Sequence, residues 1–329
     1  MGRLKSLQVL SNFVVGKNSG STIEELGKLP MLRGKLFLSR LKNVSAGRDA
    51  YMANMKGKKH LEKLTLKWNG DTNESQVAKD VLDKLQSRSN LKRLKIDGYC
   101  RTSFPNWLGN PSFSHLESLS ISSCENCYIL PALGQLQALQ SLEINGLSKI
   151  STLPALGQLW SRKLLELVGM VFYRELGIID CPKLIGELPR QLSSLQRLEI
   201  GGCHKLVLPN GQLGIFQGDV KQFSSLSVLK ISWMENLKEL CRELNKLASP
   251  EYLEIYNCGS ILPSPMSYLP ASLKTLVCGT CRNLELESET WQSGSLESLG
   301  LNGCRSLKAL SLGSFHMLKH LRINLMPKN

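Results

Sequence analysis

The chain has 329 residues, 42% of them hydrophobic, and a formal net charge of +14, more than one compact core usually organises at that length. No apolar run reaches membrane-spanning length, and the residues from Met1 to Leu4 begin no signal-like hydrophobic stretch, so a cytoplasmic location without a transmembrane segment is expected. The charge is concentrated in residues 1–100, which hold 20 Lys/Arg against 9 Asp/Glu, at solvent positions that suit an acidic protein surface and not nucleic acid.

Residues 1–60 read as divergent copies of a pattern that becomes regular at residue 61. Leu4 to Leu10 suggest one such unit, and Leu36, Leu38 and Leu41 another. Leu61-Glu62-Lys63-Leu64-Thr65-Leu66-Lys67-Trp68-Asn69 then states the phrase in full: Leu, two variable residues, Leu, one variable, Leu or Ile, two variable, then Cys or Asn. In Leu64-Thr65-Leu66 the leucines point to one face and the threonine to the other, which is strand alternation. Val77, Val81, Leu82 and Leu85 recur at helical spacing, so a helix is expected near 74–87 on the convex side, with Asn73 as its cap.

The phrase returns at Leu91–Tyr99, Leu116–Cys124 and Leu139–Leu147, closing a regular region over 61–159. Within it Leu130-Pro131-Ala132-Leu133-Gly134-Gln135-Leu136 recurs identically as Leu153–Leu159, 23 residues later. Over 160–176 the pattern shortens: Leu164, Leu167 and Met170 begin a phrase, yet Leu176 of the next comes only nine residues after Leu167. An irregular repeat is expected there. Tyr173–Cys181 restores the register. The C-terminal repeats, 177–329, carry Leu195–Cys203, Leu226–Met234, Pro250–Cys258, Leu273–Cys281, Leu296–Cys304 and Leu318–Met326.

About a dozen units, most of them 22 to 25 residues apart, specify an α/β repeat solenoid. The expectation is a leucine-rich-repeat horseshoe with one parallel concave sheet and an irregular convex side of loops and short helices. The ninth position needs a small or polar inward residue that can bond to backbone groups, and thiol and amide both serve. Register also removes the two Cys-x-x-Cys pairs, Cys124/Cys127 and Cys278/Cys281, as a metal site. They lie at least six repeats apart, roughly 30 Å at the ~4.8 Å strand spacing, beyond the span of one tetrahedral ion. The five histidines are scattered, and Gly16–Thr22 lacks both the glycine spacing and the lysine of a phosphate loop. No metal, cofactor or catalytic group is expected, and the function is one of protein–protein recognition.

Two outward surfaces stand out. Lys63 and Lys67 on one strand and Arg93 and Lys95 on the next are expected to form one basic patch. Trp233 at the eighth position of its phrase, with Tyr252 and Tyr256 at the third and seventh of the following one, reads as outward by alternation. Trp233 and Tyr256 should touch, and Glu254 with Lys230 opposite it should form a polar rim. Exposed Trp and Tyr forgo burial and are enriched among binding hot spots, so these five residues are the ligand-binding candidate.

Residue order also carries a family resemblance. Leu7-Gln8-Val9-Leu10 leads into Phe13-Val14-Val15-Gly16, then come Ile23-Glu24-Glu25-Leu26, Leu32-Arg33-Gly34-Lys35-Leu36 and Leu41-Lys42-Asn43-Val44. Ala50-x-x-Ala53-Asn54-Met55, Leu64-Thr65-Leu66-Lys67-Trp68, Phe104-Pro105-Asn106-Trp107-Leu108, the two Leu-Pro-x-Leu-Gly-Gln-Leu runs and Ile179-Asp180-Cys181-Pro182-Lys183-Leu184 follow in order. Over nearly its whole length the chain resembles the C-terminal repeat region of plant coiled-coil NLR disease-resistance receptors of the RGA-like subgroup. The resemblance implies a sensor of a pathogen effector or a modified host protein. It also implies a contact that holds a nucleotide-binding module inactive, with the basic patch facing that module. The module is absent from this chain, so ADP/ATP binding belongs to a longer parent protein. The alternative, a leucine-rich-repeat substrate adaptor of a ubiquitin ligase, calls for an F-box helix bundle that residues 1–60 do not suggest.

Overall fold

The computed structural model describes residues 4–17, 21–69, 75–153, 173–185, 192–206, 223–237, 247, 249–258, 270–280, 294–303 and 315–324. The chain divides into two compact units, Met1–Val171 and Phe172–Asn329. In the first, strands β1 (Asn12–Val14), β2 (Arg33–Ser39), β3 (His60–Lys67), β4 (Arg93–Asp97), β5 (Ser118–Ser122) and β6 (Ser141–Asn145) pair in chain order, each parallel to the next. In the second, β7 (Glu175–Ile179), β8 (Arg197–Gly201), β9 (Val228–Ser232), β10 (Tyr252–Tyr256), β11 (Thr275–Gly279), β12 (Ser298–Asn302) and β13 (His320–Asn324) do the same. Both units are leucine-rich-repeat solenoids.

The register follows the leucine phrase. In unit 1, Leu64, Leu94, Leu119 and Leu142 are successive cross-strand partners, as are Leu66, Ile96, Ile121 and Ile144. In unit 2 the columns run Leu176, Leu198, Leu229, Leu253, Leu276, Leu299 and Ile178, Ile200, Ile231, Ile255, Cys278, Leu301. All of these side chains are buried. Each contributes about 1.5–3 kcal/mol by leaving water, which is what stacking one unit on another recovers.

The ninth-position thiols sit inside, as expected. Cys124, Cys181, Cys203 and Cys258 are buried, and each donates to the carbonyl two residues back: Ser122 at 3.2 Å, Ile179 at 3.3 Å, Gly201 at 3.2 Å and Tyr256 at 3.5 Å. Cys127 donates to the Arg101 carbonyl at 2.7 Å, so the first Cys-x-x-Cys pair is committed to the backbone. Asn69 plays the same part through its amide oxygen, which accepts from the Arg40 N–H at 2.9 Å. Cys281 and Cys304 lie outside the described residues.

Helix α1 spans Gly47–Met52, and the expected convex helix forms as α2, Ser75–Lys84, burying Ala78, Val81 and Leu82, with Leu85 buried just beyond it. Its expected cap, Asn73, lies outside the described residues. So does 160–172, most of the expected irregular repeat, while Glu175–Ile179 is a regular strand. The first unit differs from its expectation. Its strand turns Phe13 inward, with Val15 buried just beyond its end, while Leu4 and Val9 are exposed. Period-two alternation of Phe13, Val14 and Val15 meets the β2 register through Phe13 and Leu38, and Leu4–Leu10 forms no strand.

Candidate functional site

The candidate binding surface in unit 2 begins with a backbone feature. After each of β4 to β12 the eighth residue of the phrase turns left-handed: Gly98, Gly146, Gly202 and Gly303 take φ of 61 to 73°, and Ser123, Asp180, Asn257 and Thr280 take 47 to 53°. Its N–H still extends the parallel ladder, as Ser123 does to Asn145 at 2.8 Å. Glycine, Asn and Asp suit this conformation, and Ser is small enough to follow. Trp233 occupies the same position with φ of 54°, its N–H bonded to the Tyr256 carbonyl at 2.9 Å. A left-handed indole residue costs roughly 1–2 kcal/mol. Its exposure, 53%, therefore comes from this turn and not from the strand alternation that the sequence suggested.

Tyr256 is 37% exposed, and its ring centroid lies 6.1 Å from that of Trp233 at 59°. The tyrosine ring lies over Gly279, its cross-strand partner on β11, where a Cβ would overlap it. Below the aromatic pair the polar rim is internally matched. Lys230 Nζ meets Glu254 Oε2 at 2.6 Å and lies 5.4 Å from the Tyr252 ring centre, and the Tyr252 hydroxyl donates to the same oxygen at 2.8 Å. Partial burial pushes the Glu254 carboxyl upward. The hydrogen bonds from Lys230 and Tyr252 and the charges of Lys230 and Arg197 outweigh that and leave it below the usual range. Tyr252 is raised to about 12, by burial and then by its bond to the carboxylate. Two members were missed in the sequence: Arg197, bonded to Glu199 at 3.2 Å, and Glu199 itself, which faces Lys230 across β8 and β9. Aligning the fifth position of successive phrases gives Glu199, Lys230, Glu254, an alternation that was available to find them.

In unit 1 the four expected basic residues separate. Lys63 and Arg93 are direct cross-strand partners, and Lys95 stands across from Thr65. Lys67 leaves the set: its Nζ meets Asp97 Oδ2 at 2.7 Å, because the last residue of β4 is acidic and in register with it. Lys35, opposite Lys63 on β2, takes its place. The β-bulge between Gly34 and Lys35 sets that alignment, which is why counting in the sequence did not reveal it.

Comparison with known proteins agrees with this architecture. Residues 23–147 match the family model described as R13L1/DRL21 LRRs. The chain is 31% identical over 320 residues, 84% of its length, to disease resistance RPP13-like protein 1 of Arabidopsis thaliana, spanning 30% of that protein. It is 37% identical over 141 residues, 42% of its length, to disease resistance protein RGA2 of Solanum bulbocastanum, spanning 14% of it. The chain thus spans less than a third of the length of these relatives. Among solved structures a TLR13–ssRNA13 complex superposes with a TM-score of 0.50 at 18% identity, over 97% of this chain and 40% of that one, a likeness of fold alone. With the strand phrase, the buried ninth-position ladder and these relatives together, the chain is a leucine-rich-repeat solenoid similar to the leucine-rich-repeat regions of plant disease-resistance proteins.

Proposed function

We propose that the chain is the protein-recognition module of an intracellular plant immune receptor, sensing a pathogen effector or a modified host protein on the outer face of its sheets. A second role is contact between unit 1 and the nucleotide-binding module of a longer parent protein, contributing to its autoinhibition. A ligand relieves such a contact only if it binds the released state more tightly than the resting one.

The observation that carries the reading is Trp233. A large aromatic is held exposed, in a backbone conformation that costs energy, against a tyrosine seated on a glycine. Local strain combined with forgone burial favours a binding role over a packing role. The test is a chimaera: this chain exchanged into a related receptor of different recognition. Recognition should follow the chain, and Tyr256→Ala should abolish it. Recognition that stays with the recipient's other modules overturns the reading.

A further inference from the structure

On the outer faces of the strands, Lys67, Arg197 and Lys230 each meet a carboxylate. Lys35, Lys63 and Arg93 do not. They are successive cross-strand partners on β2, β3 and β4, all exposed, with Arg33 opposite His60 at the start of the same strands and Lys95 two residues past Arg93. Among the described residues no carboxylate lies within ion-pair distance of Lys35, Lys63, Arg93 or Lys95. Like charges directly opposite one another destabilise a sheet. This row holds three at the ~4.8 Å strand spacing, so the folded surface carries repulsion that an anion relieves.

We propose that the Lys35–Lys63–Arg93 row, with Lys95, binds a soluble compact polyphosphate, a small molecule bearing several clustered phosphate groups. Each phosphate carries about −1.5 to −2 charges and three acceptor oxygens, so two or three groups match four cations gathered within roughly 10 Å. Carboxylates supply one charge each, and on an extended peptide those on one face recur at roughly 6.6 Å, out of step with the strand spacing. Phe37, on the outer face of β2, is only part-exposed, and no large apolar side chain stands exposed on β2, β3 or β4. The row therefore presents no exposed aromatic anchor of a protein hot spot, no apolar residue that would enter a bilayer and no exposed ring of the kind on which nucleic-acid bases stack. The proposal does not depend on the aromatic site of unit 2.

The test is direct binding of inositol hexakisphosphate to the full chain, with orthophosphate, a hexaglutamate peptide, a single-stranded oligonucleotide and phosphatidylcholine vesicles with and without phosphatidylinositol bisphosphate as comparison arms. The hexakisphosphate should bind best, with affinity falling as salt rises. Lys63→Gln with Arg93→Gln should weaken it roughly a hundredfold, at about tenfold for each charge-assisted hydrogen bond removed. Lys67→Gln should change it less than about twofold, since that ammonium already serves Asp97. Circular dichroism checks that each variant keeps its fold. Tighter binding of hexaglutamate makes the row an acidic-protein contact, binding only to vesicles makes it a lipid contact, and tighter binding of the oligonucleotide makes it a nucleic-acid contact. An equal weakening in Lys67→Gln makes the effect one of net charge. Each of these results overturns the proposal.

Discussion

At the scale of single residues, two positions have energies that can be separated by substitution. Trp233→Gly relieves a left-handed conformation costing roughly 1–2 kcal/mol. It forfeits a ring contact of about 0.5–1.5 kcal/mol and adds unfolded-state freedom of about 0.5–1 kcal/mol. Stability should therefore move by less than about 1 kcal/mol in thermal melts while effector recognition is lost. A drop of several kcal/mol with recognition intact would place the indole in the core and remove the binding role. Lys58 is the second position. It is buried, with no acidic partner at its Nζ among the described residues, and that Nζ donates to the carbonyls of Leu26 at 2.7 Å and Leu29 at 3.2 Å. Burial lowers its pKa from 10.5 to about 8. The unfolded chain thus binds more protons between pH 8 and 10.5, and this group's contribution to stability rises with pH through that window. Lys58→Met strands the Leu29 carbonyl and leaves that of Leu26 with only the Leu29 N–H, and should cost about 1–3 kcal/mol at pH 7. The gap to the parent chain should widen by up to about 3 kcal/mol by pH 10.5. A gap that narrows as pH rises would mean that the ammonium is stabilised in place. Neither feature was fully legible: the sequence marks Trp233 as an aromatic at a variable position, but its left-handed backbone is set by the ladder bond to Tyr256.

At the scale of elements, the strands were legible because one phrase fixes two inward positions and repeats them in register, so each unit confirms its neighbours. Leu229 illustrates the consequence. It is buried between Leu198 on β8 and Leu253 on β10. Leu229→Ala should cost about 2–5 kcal/mol. In hydrogen exchange the loss of protection should centre on β8, β9 and β10, because a repeat packs on its immediate neighbours. Equal loss on β13 would mean that unit 2 unfolds as one body. Gly279→Ala tests the other face: its methyl would displace the Tyr256 ring, altering the near-ultraviolet dichroism of the Trp233–Tyr256 pair while the melting temperature shifts little, since the ring can swing towards solvent. The first unit was misread because leucine spacing alone favoured Leu4–Leu10. The strand instead forms around Phe13 and Val14, an aromatic and a β-branched residue suited to a pleated surface. Of the rim's charges, Lys230 opposite Glu254 was legible from register, whereas Glu199, which faces Lys230 from the fifth position of the preceding phrase, and its partner Arg197 became visible only once the strands were aligned.

At the scale of the whole molecule, the uneven charge was legible from composition, but its fine structure depended on register. Residues 1–100 hold 20 Lys/Arg against 9 Asp/Glu, yet Asp97 neutralises Lys67 and Glu62 lies 3.5 Å from Lys92. Among the described residues that leaves Arg33 at the start of β2 and, further along β2–β4, a cluster of four unneutralised cations, Lys35, Lys63, Arg93 and Lys95. If this face holds a nucleotide-binding module in a longer parent receptor, the interaction runs through those four and not through Lys67. Screening acts over about 8 Å at physiological ionic strength, so a contact made by adjacent unneutralised cations survives in the cell while diffuse net charge contributes little. Reversing Lys63, Arg93 and Lys95 to Glu in such a receptor should raise its activity in the absence of any effector. Lys67→Gln should leave resting activity unchanged, although it removes one positive charge from the same strand. The discriminating readout is resting activity set against protein level, because loss of fold would lower both signal and abundance. Equal activation by Lys67→Gln would show that bulk charge governs the resting state, and no activation by the triple reversal would separate the basic face from autoinhibition altogether.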